Sequence, residues 1–215
     1  MQNKHGPSTK SVHLTAKVDA GTRAITPPVV DSSAFAFPDL ESWRQAAFHK
    51  TAGDCYSRNS NPTVRHFEQK MAAFEGAESA TAFATGMAAI STTLFALLSP
   101  GQRAVTVRDA YGATYLYFTK ILPRFGIDCR VCDSDDHAEI ETALANGCRL
   151  LYLESPTNPT LKILDLQRLM RAAHAAGAIA IVDNTFATPR NQTPISLRAD
   201  VVIHSASKFL GSHGA

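Results

Sequence analysis

Long apolar runs are missing from this 215-residue sequence. Its most apolar helix-like stretch, Ala88 to Leu98, is interrupted by Ser91, Thr92 and Thr93 and is far shorter than the ~20 apolar residues a membrane-spanning helix needs. The N-terminus, MQNKHGPSTKSVHL, lacks the apolar core of a secretory leader. An excess of charge of one sign is missing too. The formal net charge is +2 with both signs interspersed, so nothing calls for a nucleic acid or an anionic membrane as partner. Internal repeats and low-complexity segments are absent. Cysteine is scarce: Cys55, Cys129, Cys132 and Cys148. CRVC has the spacing of a redox or zinc motif, but GIDCRVCD reads as a strand, where residues three apart face opposite sides. With no second pair at matching spacing, metal binding is disfavoured. Buried thiols in a reducing compartment are the better reading, and a soluble, cytoplasmic protein is expected.

Hydrophobic residues make up 45% of the chain, enough for one sizeable core or two small ones. The first part differs from the rest. Met1 to Pro38 is polar and punctuated by proline, with no sustained period, and reads as an extended arm. DLESWRQAAFHK predicts a short amphipathic helix capped by Asp39, and TAGDCYSRNSNPT predicts a loop. From Pro62 the pattern becomes regular. TVRHFEQKMAAFEGA, GMAAISTTLFALLSPG, GATYLYFTKILPRFG, DHAEIETALANG and LQRLMRAAHAAG read as helices. SATAFA, RAVTV, DCRVC, RLLYLE, AIAIVD and ADVVIH read as strands. Short apolar strands alternating with helices predict an α/β fold with a mainly parallel sheet and helices on both faces. The expected division is an arm and subunit-contacting loop over residues 1–61, followed by a large domain over 62–215.

In open α/β sheets, ligands bind beyond the carboxyl ends of the strands. Thr85-Gly86-Met87 lies between a strand and a helix. That junction is a tight turn, or it brings backbone N–H groups to an anion at the helix N-terminus. Asp183 ends AIAIVD, where a carboxylate needs a donor or cationic partner; it is a cap, or it faces a positively charged ligand atom. Glu154 ends RLLYLE in the same way, followed by SPTNPT with Asn158. Tyr111, after RAVTV, is a core aromatic or a surface for stacking a planar ring. Arg58, beside Tyr56 in a loop too polar for a core, suits a phosphate. Lys208 follows ADVVIH between small hydroxyl residues. Read alone it is a surface charge; desolvated at a strand end it becomes an amine nucleophile, with Ser205 and Ser207 beside it for an anion. Together these residues supply what pyridoxal 5'-phosphate needs: phosphate donors, a carboxylate for the ring nitrogen, an aromatic face and a lysine for the aldehyde.

The motifs YSRNSNPT, FATGMAAI, DAYGATY, ESPTNPT, VDNTFATP and HSASKFLGSHG, in this order, resemble the cystathionine γ-synthase-like, pyridoxal-phosphate-dependent enzymes of cysteine and methionine metabolism, from about Pro27 to the last residue. The resemblance implies the large domain of an aspartate-aminotransferase-like transferase. Lys208 would be the covalent anchor and proton shuttle, Asp183 the partner of the ring nitrogen, and Tyr111 the stacking residue that also serves acid–base steps. Gly86, Met87, Ser205 and Ser207 would bind the phosphate, and Asn158 the ring hydroxyl. Tyr56 and Arg58 would reach the cofactor of a neighbouring subunit, in a homodimer or homotetramer with shared sites. The implied substrate is a γ-substituted amino acid such as an O-acyl-L-homoserine, whose γ-group a thiol or sulfide replaces; a γ-lyase would instead release a 2-oxo acid. Ala113 stands where methionine γ-lyases commonly carry a reactive cysteine, which favours replacement. Val30 stands where the family often has an aromatic residue, and Ser207 where threonine is common. Family members are about twice as long. The resemblance therefore places the C-terminal domain, with the arginine for the substrate carboxylate, outside this sequence. That leaves open a second chain supplying the other half, or a non-catalytic relative that binds the cofactor or a full-length partner.

Overall fold

The computed structural model describes residues 6–13, 18–49 and 53–211. The chain divides into two compact units, Met1–Ala82 and Phe83–Ala215. The third helix falls in the first unit, where its start is hydrogen-bonded to the arm.

The first unit contains α1 (Pro7–His13), α2 (Leu40–Phe48) and α3 (Pro62–Glu75). The short α1 lies in a stretch read as extended arm. Asp39 caps α2 as expected, its Oδ1 accepting the Ser42 N–H at 2.7 Å. Helix α3 starts with Asn61 as cap and Pro62 inside its first turn, where a missing N–H costs nothing. It ends at Gly76 in the left-handed region (φ 71°). Asn61 Nδ2 donates to the Val30 carbonyl, and the Val30 N–H donates to Thr63 Oγ1, both at 2.9 Å. These bonds, together with the Arg65–Asp54 ion pair, lock arm, loop and helix into one body. SATAFA, read as a strand, pairs with no strand among the described residues. A strand is stabilised by ladder bonds to a neighbour, and none is provided here.

The second unit is a parallel sheet with crossover helices, as expected. Among the described residues it has five strands: β1 (Arg103–Val107), β2 (Asp128–Cys132), β3 (Leu150–Glu154), β4 (Ile179–Asp183) and β5 (Val201–Ile203), in the order β2-β1-β3-β4-β5. Its helices are α4 (Gly86–Leu97), α5 (Gly112–Leu116), α6 (His137–Ala145), α7 (Leu166–Ala175) and the short α8 (Thr188–Asn191). The period-2 alternation of the strands sorts the core into two layers. Val105, Val107, Leu151, Leu153, Ala180 and Val182 pack with Ile140, Leu144, Leu169 and Met170 of α6 and α7. Ala104, Leu150, Tyr152, Ile181 and Ile203 pack with Ile90 and Leu94 of α4 and with Phe118 and Leu122. The strand β3 is buried along its whole length, which explains its unbroken apolar run.

The predicted helix after Tyr111 forms, but not uniformly. Beyond α5 it widens over Tyr117–Ile121 and tightens over Leu122–Phe125. Pro123 brings no N–H to continue the ladder. The turn before it spreads, with the Leu122 N–H donating to the Tyr117 carbonyl, and the segment ends at Gly126 with φ 73°. Cys129 and Cys132 do face opposite layers of the sheet. Burial pushes both thiols up, Cys129 to about 12, so neither offers a thiolate. No helix among the described residues is long and apolar enough to cross a membrane.

Candidate active site

The strand order fixes where a ligand can enter. After β1 the chain leaves for β2 on one side; after β2 it returns to β3 on the other side of β1. The connections from the ends of β1 and β3 therefore diverge to opposite faces, and a crevice opens between them. Tyr111 follows β1, Glu154 ends β3 and Asp183 ends β4. Glu154 and Asp183 are register partners on neighbouring strands, so their side chains share one face.

Asp183 is 6% exposed. Its Oδ1 accepts the Thr185 N–H at 3.0 Å and its Oδ2 accepts the Tyr152 hydroxyl at 3.1 Å. No lysine or arginine forms an ion pair with it among the described residues; the charge of His204, just beyond β5, does act on it. Burial raises the acid above the ordinary aspartate range, and the two donors only partly offset that. Tyr152 is fully buried, and its phenol is pushed well up by burial and by Asp183, so it remains a neutral donor. Asp183 is thus a carboxylate whose solvation was removed and whose charge was left uncompensated by lysine or arginine.

Gly86 opens α4 against the turn after β5. A Cβ on Gly86 would lie 2.9 Å from Ser205 Cβ and 3.2 Å from Ser205 Cα. Any larger residue would displace the helix start or the turn, so close backbone approach is the reason for glycine here. Thr85 caps the helix, its Oγ1 accepting the Ala88 N–H at 3.0 Å. The N–H groups of Gly86 and Met87, in the first turn, have no intrahelical acceptor. The Ser205 N–H donates to Thr185 Oγ1 at 2.9 Å. Thr185 therefore ties the Asp183 carboxylate to the serine turn with two hydrogen bonds.

Tyr111 stands at the start of α5 with its side chain 45% exposed, so it is not a core aromatic. Its N–H donates to Glu154 Oε2 at 2.7 Å. Asn158 lies in the turn after β3, and its N–H donates to the Asp109 carbonyl at 3.1 Å. Lys162 bridges Asp109 and Asp135 at 2.9 and 2.5 Å, pinning that turn to the end of β1. Gln192 Nε2 donates to the Ser155 carbonyl and to Asn184 Oδ1, joining the turns after β3 and β4. Ser207 and Lys208 lie in the turn that follows β5, and both are exposed. The described residues leave the Lys208 side chain open to water, which matches the surface reading of this lysine and not the desolvated one. The end of its motif, residues 212–214, lies outside the described residues.

Tyr56 and Arg58 belong to the first unit. They are brought to each other, with the Arg58 guanidinium 4.9 Å from the centre of the Tyr56 ring, and both are exposed. Tyr56 also forms an isolated antiparallel bridge with Ala34 of the arm. Sequence reading missed Tyr152 and Thr185. Tyr152 carried a signal: a single hydroxyl in an aliphatic strand, two positions before Glu154, must find a partner inside.

A parallel α/β sheet thus carries a buried carboxylate and an exposed lysine beyond its strand ends, with a glycine helix start packed against the turn after β5. Residues 8–215 match the family model described as Cys/Met metabolism PLP-dependent enzyme, and the chain belongs to that family. The L-methionine gamma-lyase of Fusobacterium nucleatum subsp. polymorphum is 40% identical over 213 residues, 98% of this chain and 53% of that protein. Among solved structures, metB from Corynebacterium glutamicum superposes with a TM-score of 0.89 at 35% identity, covering 97% of this chain and 52% of that one. The O-acetylhomoserine (thiol)-lyase structure from Campylobacter jejuni, which carries N'-pyridoxyl-lysine-5'-monophosphate, superposes with a TM-score of 0.87 at 31% identity, over 94% of this chain and 50% of that one. Further matches bear the names cystathionine gamma-synthase, cystathionine gamma-lyase and cystathionine beta-lyase. The chain spans about half the length of the first curated relatives it matches.

Glu154 gives the site a pH signature. Burial first, and then the charge of Asp183, push its acid from 4.5 to about 8. Between those values the folded chain holds a proton that the unfolded chain has released, so stability falls as pH rises through this window. Asp183 acts in the same direction. The melting temperature of the chain without added ligand is expected to drop between about pH 5 and pH 9, and Glu154→Gln to flatten part of that slope. A parent and variant with the same slope across the window would contradict it.

Proposed function

We propose that the strand ends hold pyridoxal 5'-phosphate and serve a transsulfuration reaction, most directly γ-replacement on an O-acyl-L-homoserine. The observation that carries the reading is Asp183, a buried carboxylate that accepts from Thr185 and Tyr152, feels the charge of His204, and has no lysine or arginine paired with it among the described residues. A protonated ring nitrogen is the cation that suits it. The close approach of Gly86 to Ser205 supports a phosphate at the start of α4, where the N–H groups of Gly86 and Met87 and the hydroxyls of Ser205 and Ser207 would donate. Tyr111 offers an exposed ring for stacking, and Asn158 an amide for the ring hydroxyl.

The cofactor, when bound, supplies an electron sink for negative charge at the substrate α-carbon. The chain's own groups do the rest. Lys208 Nζ would hold the cofactor at its aldehyde carbon, and its free amine would take the proton from the substrate Cα. Asp183 keeps the ring nitrogen protonated. The Tyr111 hydroxyl serves a second acid–base step, and Tyr56 from a neighbouring copy assists. The exposure of Lys208 and of the Tyr56–Arg58 pair supports a site completed by a neighbour, in a homodimer or homotetramer, with Arg58 on the phosphate. A cation for the substrate carboxylate is proposed to come from sequence corresponding to the other half of the longer relatives, in the same or a second chain. Such a protein works in the cytoplasm.

The names of the matched relatives support chemistry that makes or breaks a sulfur amino acid. Ala113, in the first turn of α5, presents no thiol beside Tyr111, which favours replacement. Elimination is the second reading, favoured by the L-methionine gamma-lyase match.

Purified chain with added pyridoxal phosphate is expected to turn yellow and retain the colour on desalting, and Lys208→Ala to lose the covalent band; a colourless parent sinks the cofactor reading. Supplied with O-acetyl- or O-succinylhomoserine plus cysteine or sulfide, the enzyme is expected to form a thioether or homocysteine. Release of 2-oxo acid from L-methionine instead would select elimination. Separately, Arg58→Ala should lose ~10-fold or more in cofactor affinity, the scale of one charge-assisted contact, with far-UV circular dichroism unchanged. Retention equal to the parent's would rule out the shared phosphate site.

A further inference from the structure

Glu154 has no part in that reaction scheme, yet it is a costly side chain to keep where it is. It is 4% exposed, and it lies beside a second buried carboxylate, Asp183, in register on the next strand. No lysine or arginine pairs with it among the described residues. A residue that served packing alone would be apolar there, like Leu153 before it.

What Glu154 does hold is the main chain of Tyr111. The Tyr111 N–H donates to Glu154 Oε2 at 2.7 Å. Tyr111 is the residue from which α5 departs, and its own side chain makes no capping bond. A glutamate three residues into the helix commonly supplies the acceptor for the N–H at a helix start. Position 114 is Thr here, and the acceptor comes instead from the end of β3. The bond therefore crosses the crevice at the switch point. It joins the segment after β1 to the strand beside Asp183.

We infer that Glu154 is a positioning residue: by gripping the Tyr111 N–H from the strand next to Asp183, it fixes where the Tyr111 ring stands relative to the Asp183 carboxylate. The inference rests on the proposal that those two residues hold the cofactor ring. Acceptor geometry is the essential property, so glutamine can replace glutamate and leucine cannot.

The experiment compares the parent chain with Glu154→Gln and Glu154→Leu. It reads pyridoxal phosphate affinity by absorbance titration, visible circular dichroism per bound cofactor, and hydrogen exchange of the Tyr111 amide without cofactor. Leucine is expected to weaken binding ~10-fold, to alter the visible dichroism and to expose the Tyr111 amide to exchange, as loss of a buried acceptor requires. Glutamine is expected to stay within ~3-fold of the parent, with dichroism and amide protection kept. If leucine matches the parent, or glutamine fails as leucine does, the positioning role is overturned while the cofactor site stands. A parent that binds no cofactor overturns the site and this inference together. Should the leucine variant not fold, glutamine decides: its Tyr111 amide must stay protected and its dichroism must match the parent's.

Discussion

A carboxylate buried at the end of an interior strand, bonded to Thr185 and Tyr152 and with no lysine or arginine paired with it among the described residues, organises the strand ends of the second unit. Taking Asp183 out of water is unfavourable by itself. Tyr152 and Thr185 offset part of that cost, and burial still holds the acid above its ordinary range. The proposed cationic ring nitrogen would offset what remains of that cost. The surroundings depend on it in turn: Tyr152 occupies a core position on β3 in order to present its hydroxyl, and Thr185 passes the link on to the Ser205 turn, against which Gly86 starts α4.

The topology turns this local constraint into a site. With strand order β2-β1-β3-β4-β5, the segments that follow β1 and β3 part company, and Tyr111, Glu154 and Asp183 lie at or just beyond the carboxyl ends of their strands. Three sets of bonds hold the parting segments in place. Lys162 pins the turn after β3 to Asp109 and Asp135, Gln192 joins the turns after β3 and β4, and Glu154 grips Tyr111. Buried strands thus carry connecting segments that are tied to one another by polar side chains. Family membership follows from the match of nearly the whole chain, whereas the substrate falls to experiment, because relatives of similar identity bear the names of both lyases and synthases.

Much of the second unit was legible in the sequence. Short apolar runs such as LLYLE and IAIVD, separated by helical periods and glycine stops, determine strand, crossover and parallel sheet with little ambiguity. Asp183 and Gly86 were legible for the same reason: a carboxylate after an apolar strand and a glycine before an apolar helix are visible departures from pattern. What escaped was long-range. SATAFA has the composition of a strand, but a strand also needs a partner, and composition does not name one. The widened helix after Leu116 depends on how the ladder accommodates Pro123. The bonding of α3 to the arm depends on Asn61 and Thr63 meeting Val30, more than thirty residues away. For Lys208 two readings stayed open, a surface charge or a desolvated amine; it is exposed among the described residues, and burial there depends on what surrounds the turn and not on the residues within it.

The central claim is that Asp183 is a receptor for a protonated ring nitrogen, and the nitrogen itself can report on it. Pyridoxal phosphate labelled with 15N in the ring, bound to the chain and observed by NMR through neutral pH, gives the protonation state of that atom directly. A protonated nitrogen in the parent, with loss of protonation or of binding in Asp183→Asn, is the expected result. A bound cofactor whose nitrogen carries no proton in the parent, or one indifferent to Asp183→Asn, would contradict it.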